Sequence, residues 1–106
     1  MNAANRILIV DDETVIRELL SDILTDDGYS VESVANAPAA LDVITQRDDF
    51  ALLFTDIMMP DMDGIELIRR ARKVRPSIVP IVMTGFATLE TARAAVKEGA
   101  YDYVLK

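Results

Sequence analysis

Leu52-Leu53-Phe54-Thr55-Asp56-Ile57-Met58-Met59-Pro60 is an apolar run of strand length that ends on one carboxylate and then meets a proline. The residue before a proline is pushed towards extended geometry, so the run cannot pass straight into a helix. Asp56 therefore stands at the mouth of a buried strand, where an isolated charge is costly. That placement calls for partners, and the chain on either side supplies them.

Working outward, Arg6-Ile7-Leu8-Ile9-Val10 is a second continuous apolar run, as expected of a strand buried on both faces. It ends in Asp11-Asp12-Glu13-Thr14. Val15, Ile16, Leu19, Leu20, Ile23 and Leu24 then recur at a helical period up to about Asp27, with Gly28 to stop the helix. Ser30 to Val34 reads as a short strand, and Asn36 caps a helix from Ala37 to Gln46 with Pro38 in its first turn. Phe50 to Thr55 is the third strand, followed by a third helix marked by Ile65, Leu67, Ile68 and Ala71. Ile78 to Met83 is a fourth strand that tolerates Pro80 near its start or at an edge. Thr88 to Glu98 is a fourth helix stopped by Gly99, and Tyr101 to Leu105 a fifth strand. Strict alternation of strands and helices means a parallel sheet with right-handed crossovers and helices on both faces. In such a sheet, ligands sit at the carboxyl ends of the strands.

Composition narrows the chemistry. The chain has 106 residues, 51% of them hydrophobic and 27% charged, which describes one globular domain. No apolar run reaches the ~20 residues of a membrane-spanning helix, and Met1 to Arg6 lacks the core of a signal peptide. A net charge of −7 argues against direct contact with nucleic acid. The chain contains no cysteine, which fits a cytoplasmic protein, and no histidine, which excludes histidine bases, triads and metal sites. Five of the eleven basic residues fall in Arg69 to Arg75, where they are expected to complement the end of a helix.

The topology collects Asp11 and Asp12 from strand one, Asp56 from strand three, Thr84 from strand four and Lys106 from strand five on one rim. Like charges about 4 Å apart repel by roughly 4 kcal/mol per pair at an effective dielectric near 20. Three carboxylates there want cations: Lys106 offers one, and a hard divalent ion such as Mg²⁺ is the natural second. A carboxylate beside such an ion suits phosphoryl transfer, with Asp56 as the covalent nucleophile. Glu13 is read as a first-turn helix charge, and Met58, Met59, Met62 and Met83 as packing residues.

At this point the residues resemble a family. Asp11-Asp12, the stretch Asp56 to Pro60 with Asp63-Gly64, Met83-Thr84-Gly85 and Tyr103-Val104-Leu105-Lys106, in this order at strand ends, are similar to the receiver domain of a two-component response regulator. The resemblance implies a flavodoxin-like, doubly wound α/β fold with five parallel strands in the order 2-1-3-4-5. It also implies a fifth helix that this chain lacks. Residues 1–106 are thus expected to be a receiver truncated after strand five, with the first helix covering its face alone.

The resemblance further implies that Asp56 accepts a phosphoryl group from the phosphohistidine of a cognate histidine kinase or phosphotransfer protein. Asp12 and Asp56 would bind Mg²⁺ by their side chains, Met58 by its carbonyl and Asp11 through a water. Lys106 would pair with a phosphoryl oxygen, while Thr84 and Tyr103 switch conformation. Such a domain catalyses only its own phosphorylation and dephosphorylation, and takes no small substrate beyond phosphodonors. Met58 and Phe86, two residues beyond the nucleophile and the switch threonine, are apolar, which predicts slow loss of the phosphoryl group. The stretch from Thr84 through Tyr103 is similar to receivers placed before transcription activators; a receiver within a hybrid histidine kinase, and a receiver-like module working without phosphate, are the alternatives. Homodimer formation is left open. A haloacid-type phosphatase needs Asp-x-Asp after strand one, and an FMN protein a glycine-rich loop there; the chain has Asp11-Asp12-Glu13 instead.

Overall fold

The computed structural model describes residues 6–85 and 89–105. Five strands and four helices alternate among them: β1 (Arg6–Val10), α1 (Thr14–Asp26), β2 (Ser30–Val34), α2 (Ala37–Gln46), β3 (Phe50–Thr55), α3 (Gly64–Val74), β4 (Val79–Thr84), α4 (Leu89–Lys97) and β5 (Asp102–Leu105). All pairings are parallel and the sheet order is β2-β1-β3-β4-β5, as the resemblance implied. The expected cap Thr88, the loop residue Phe86 and the basic residue Lys106 lie outside the described residues.

Local chemistry explains most element ends. The Asn36 side chain accepts from the Ala39 N–H at 2.8 Å, and Asp63 does the same for Glu66 at the start of α3. Gly28 and Gly99 both take φ +95°, the left-handed geometry that ends α1 and α4. Two strands sit one residue later than the pattern suggested. β4 begins at Val79, after the Ile78 N–H turns back to the Arg75 carbonyl at 3.0 Å, and β5 begins at Asp102, after the Tyr101 N–H is spent on the Pro80 carbonyl at 2.7 Å ahead of the β4–β5 ladder. That bond also accounts for a proline inside an interior strand. Pro80's carbonyl faces the β5 side, so its missing N–H faces the same side, ahead of the first ladder pair, Ile81 with Asp102.

The two faces of the sheet differ. Leu8, Val10, Leu53 and Val82 point to one side and pack with Ala40 and Ile44 of α2, Leu67, Ile68 and Ala71 of α3, and Ala95 of α4. On the other side, α1 lies over β1 and β2, above the buried Ile7 and Ile9. Its apolar stripe splits: Ile16, Leu20 and Leu24 are half-buried, while Val15, Leu19 and Ile23 are exposed. On the same side, by strand alternation, Leu52, Phe54, Ile81 and Met83 are only half-covered, and Val79 and Val104 are exposed.

The basic cluster on α3 does more than the macrodipole reading allowed. Only Arg72 and Lys73 belong to the last turn. Arg69 and Arg70 both pair with Glu66, Arg72 donates to the Gly99 carbonyl, and Arg75 donates to the carbonyls of Thr45 and Arg47. The Arg72 and Arg75 bonds tie the end of α3 to the turn after α4 and to the end of α2.

Candidate phosphoryl-transfer site

Two hydrogen bonds carry the ladder of the sheet one step past the strands and so place the acidic residues. The Asp56 N–H donates to the Val10 carbonyl at 3.1 Å, and the Asp11 N–H donates to the Val34 carbonyl at 3.2 Å. Asp11 and Asp56 are thereby fixed side by side at the ends of β1 and β3, only 2% and 6% exposed. Asp12 and Glu13 follow on the solvent side. One carboxylate oxygen from each of Asp11, Asp12, Glu13 and Asp56 lies within 4.8 Å of the others.

Backbone donors hold the two buried carboxylates in place. Asp11 Oδ1 accepts from the Glu13 N–H at 2.9 Å, and Asp56 Oδ1 accepts from the Met58 N–H at 3.3 Å. The Arg17 guanidinium closes on the Asp11 carbonyl at 2.6 Å, pinning the β1–α1 turn. Behind Asp56 the chain is equally confined. The Gly64 N–H donates to the Ile57 carbonyl at 3.0 Å, and a Cβ on Gly64 would fall 2.0 Å from the Asp56 carbonyl oxygen. Only glycine lets α3 start this close to the end of β3.

Thr84 ends β4 and is fully buried. Its strand is the direct neighbour of β3, with Thr55 paired to Val82, so the Thr84 backbone lies beside the Asp56 loop. Tyr103 sits on β5 opposite Val82 and is half-buried against the main core. Thr84 and Tyr103 project to the same face of adjacent strands, two positions out of register. Met58 is 60% exposed, and the group that meets the Asp56 carboxylate is its backbone N–H.

The structure therefore brings together Asp11, Asp12 and Asp56, with Thr84 on the adjoining strand end; Lys106 lies outside the described residues. Two residues carry more than their sequence context suggested. Glu13 is not in the first turn of α1 but precedes it in extended geometry, makes no side-chain cap, and turns its carboxylate into the cluster. Its adjacency to Asp11-Asp12 was the available signal. Thr91 of α4 is the other: its hydroxyl lies 2.6 Å from the Tyr103 hydroxyl, a meeting across elements that no local pattern announces.

Four carboxylates so close together, two of them buried, form a hard oxygen donor set that fits Mg²⁺. The family model for the response regulator receiver domain matches residues 7–106. Over 106 residues the chain is 40% identical to the regulatory protein AtoC of Escherichia coli (strain K12); the match takes in 100% of this chain and 23% of that protein. It thus spans under a quarter of that relative's length. Among solved structures, a CheY-like response regulator receiver domain protein from Methanospirillum hungatei matches with TM-score 0.92 and 41% identity, covering 98% of this chain and 82% of that one. The response regulator TrrA of Thermotoga maritima, solved with Mg(2+)-BeF, matches with TM-score 0.86 and 32% identity, covering 96% of this chain and 86% of that one.

Proposed function

The chain belongs to the response regulator receiver domain family, and on that premise we propose that it is a phosphorylation-driven switch with Asp56 as the phosphoacceptor. The observation that carries the proposal is the set of four carboxylates within 4.8 Å at the ends of β1 and β3. An Asp56 oxygen attacks the phosphorus of a phosphohistidine on a partner kinase or phosphotransfer protein. The N–P bond breaks, imidazole leaves with the electron pair, and an aspartyl phosphate remains. Water later attacks the same phosphorus and releases inorganic phosphate, restoring the carboxylate.

The side chains of Asp12 and Asp56, the Met58 carbonyl and, through a water, Asp11 would hold Mg²⁺. When bound, the ion neutralises charge that builds up on the phosphoryl oxygens. The protein's own residues do the positioning. The Met58 N–H fixes the Asp56 carboxylate, and the Gly64 contact keeps its backbone from retreating. Thr84 is the hydroxyl on the adjoining strand that would turn to the new phosphoryl group, and Tyr103 would follow it inward; Lys106 would pair with a phosphoryl oxygen. The domain performs no other chemistry in this reading. Its resemblance to receivers that precede transcription activators makes a transcriptional output the proposed destination, with a cognate kinase as partner and the cytoplasm as location. Among the described residues no helix is long and apolar enough to cross a membrane.

Acetyl phosphate with Mg²⁺ tests the proposal. Wild type is expected to gain one acid-stable, hydroxylamine-sensitive phosphoryl group and Asp56→Asn none. Equal labelling of the two proteins would overturn it. Because the exposed Met58 side chain offers no group to orient the attacking water, the phosphoryl group should persist well beyond seconds.

A further inference from the structure

Thr55 is the only polar residue of β3, and the site described so far makes no use of its side chain. It is 1% exposed and stands in register between Val10 of β1 and Val82 of β4, both buried. A valine would continue that row, so the hydroxyl is what calls for a reason. A buried hydroxyl costs free energy unless it finds an acceptor. This one donates to the Asp56 carbonyl at 2.9 Å.

The choice of acceptor is informative. The Asp56 N–H donates to the Val10 carbonyl at 3.1 Å, which holds the peptide plane before the Asp56 Cα. The Thr55 hydroxyl holds the plane after it, just where β3 ends. With both planes held, φ and ψ at Asp56 are set and its Cβ leaves the backbone in one direction. The Met58 N–H then meets Oδ1, and Gly64 stands against the same Asp56 carbonyl from the α3 side.

We propose that Thr55 is a positioning residue for the Asp56 carboxylate: its hydroxyl fixes the backbone at Asp56 and so aims the side chain into the carboxylate cluster. Two parts of one side chain thus do different work. The methyl fills the row with Val10 and Val82, and the hydroxyl serves the site. What the aim achieves rests on the phosphoryl-transfer function proposed above, while the tie itself can be tested on the protein alone.

Thr55→Val removes the hydroxyl and keeps the shape, whereas Thr55→Ser keeps the hydroxyl and removes the methyl. The readouts are calorimetric titration with Mg²⁺ and hydrogen exchange of the Met58 amide in metal-free protein, which reports how firmly the Asp56 carboxylate is held. Thr55→Val should weaken Mg²⁺ binding and speed Met58 exchange, each by about 2- to 12-fold, the worth of one neutral hydrogen bond. Thr55→Ser should stay within about 2-fold of wild type on both, although it unfolds more easily for want of the methyl. Val82→Ala, beside Thr55 on β4, should lower stability and leave Mg²⁺ affinity unchanged. Wild-type affinity in Thr55→Val, or losses in Thr55→Ser or Val82→Ala as large as in Thr55→Val, would overturn the proposal. If Thr55→Val does not fold, Thr55→Ser against Thr55→Ala makes the same comparison. Wild type that binds no Mg²⁺ would sink the phosphoryl-transfer reading instead, and Met58 exchange would then decide the role of Thr55 by itself.

Discussion

α3 and α4 flank the same rim, yet they are held in opposite ways. α3 is capped by Asp63, starts against the Asp56 carbonyl through Gly64, and buries Leu67, Ile68 and Ala71 in the main core. Glu66 adds paired bonds to Arg69 and Arg70, Arg72 reaches the Gly99 carbonyl after α4, and Arg75 reaches the Thr45 carbonyl at the end of α2. α4 buries Ala95, exposes Val96, and leans on β5 through the Thr91–Tyr103 bond. The helix next to the Asp56 carboxylate is pinned, and the helix that follows Thr84 is held by less among the described residues. That division suits the switch proposed above, in which Asp56 stays still while another surface changes shape.

The largest test of the contrast is a truncation in the pinned helix. Leu67→Ala should cost about 2–5 kcal/mol of stability in denaturant unfolding, because Leu67 is fully enclosed. A loss under about 1 kcal/mol would mean that α3 is no better anchored than α4. Gly64→Ala comes next. Its Cβ would meet the Asp56 carbonyl at 2.0 Å, so the start of α3 must shift, at about 1–3 kcal/mol. Calorimetric titration should show weaker Mg²⁺ binding with it, since Asp56 is displaced; unaltered binding would detach α3 from the site.

Acid supplies a third test. Hydrogen bonds from Arg69 and Arg70 pull the Glu66 carboxyl from its ordinary 4.5 down to about 2. A group whose folded pKa is depressed stabilises the fold above its unfolded pKa and loses that contribution as pH falls through the folded value. The α3 amides should therefore exchange progressively faster, relative to a Glu66→Gln variant, as pH drops from about 4.5 towards about 2. Parallel behaviour of the two proteins would remove Glu66 from the account of α3. The smallest effect belongs to α4: Val96→Ala, at an exposed position, should change stability by no more than about 0.5 kcal/mol.

How much of this was legible in the sequence follows from what periodicity can report. The apolar runs Ile7 to Val10 and Phe50 to Phe54 announce buried strands because each residue's own environment repeats along the chain. Asn36 and Gly28 act on their immediate neighbours, so α2 and the end of α1 were readable to the residue or nearly so. Asp11, Asp12 and Asp56 were legible because topology alone takes strand ends to one rim. What escaped depends on faces meeting across the fold. Tyr101 withholds its N–H from the ladder and shifts β5 by one residue; Glu13 bends back into the cluster; Thr91 meets Tyr103. The α1 stripe looked like one core-facing surface, yet Val15, Leu19 and Ile23 face outward, because among the described residues nothing packs over that flank.

The most direct measurement is a backbone NMR titration with Mg²⁺ and beryllofluoride, comparing wild type with Asp56→Asn. The account predicts saturable shifts in wild type at Asp56 and Thr84 that spread through Tyr103 into α4, with Leu67 and Ile68 of α3 nearly unmoved and Asp56→Asn silent. Wild-type spectra that stay unchanged at Asp56 and Thr84 would contradict it.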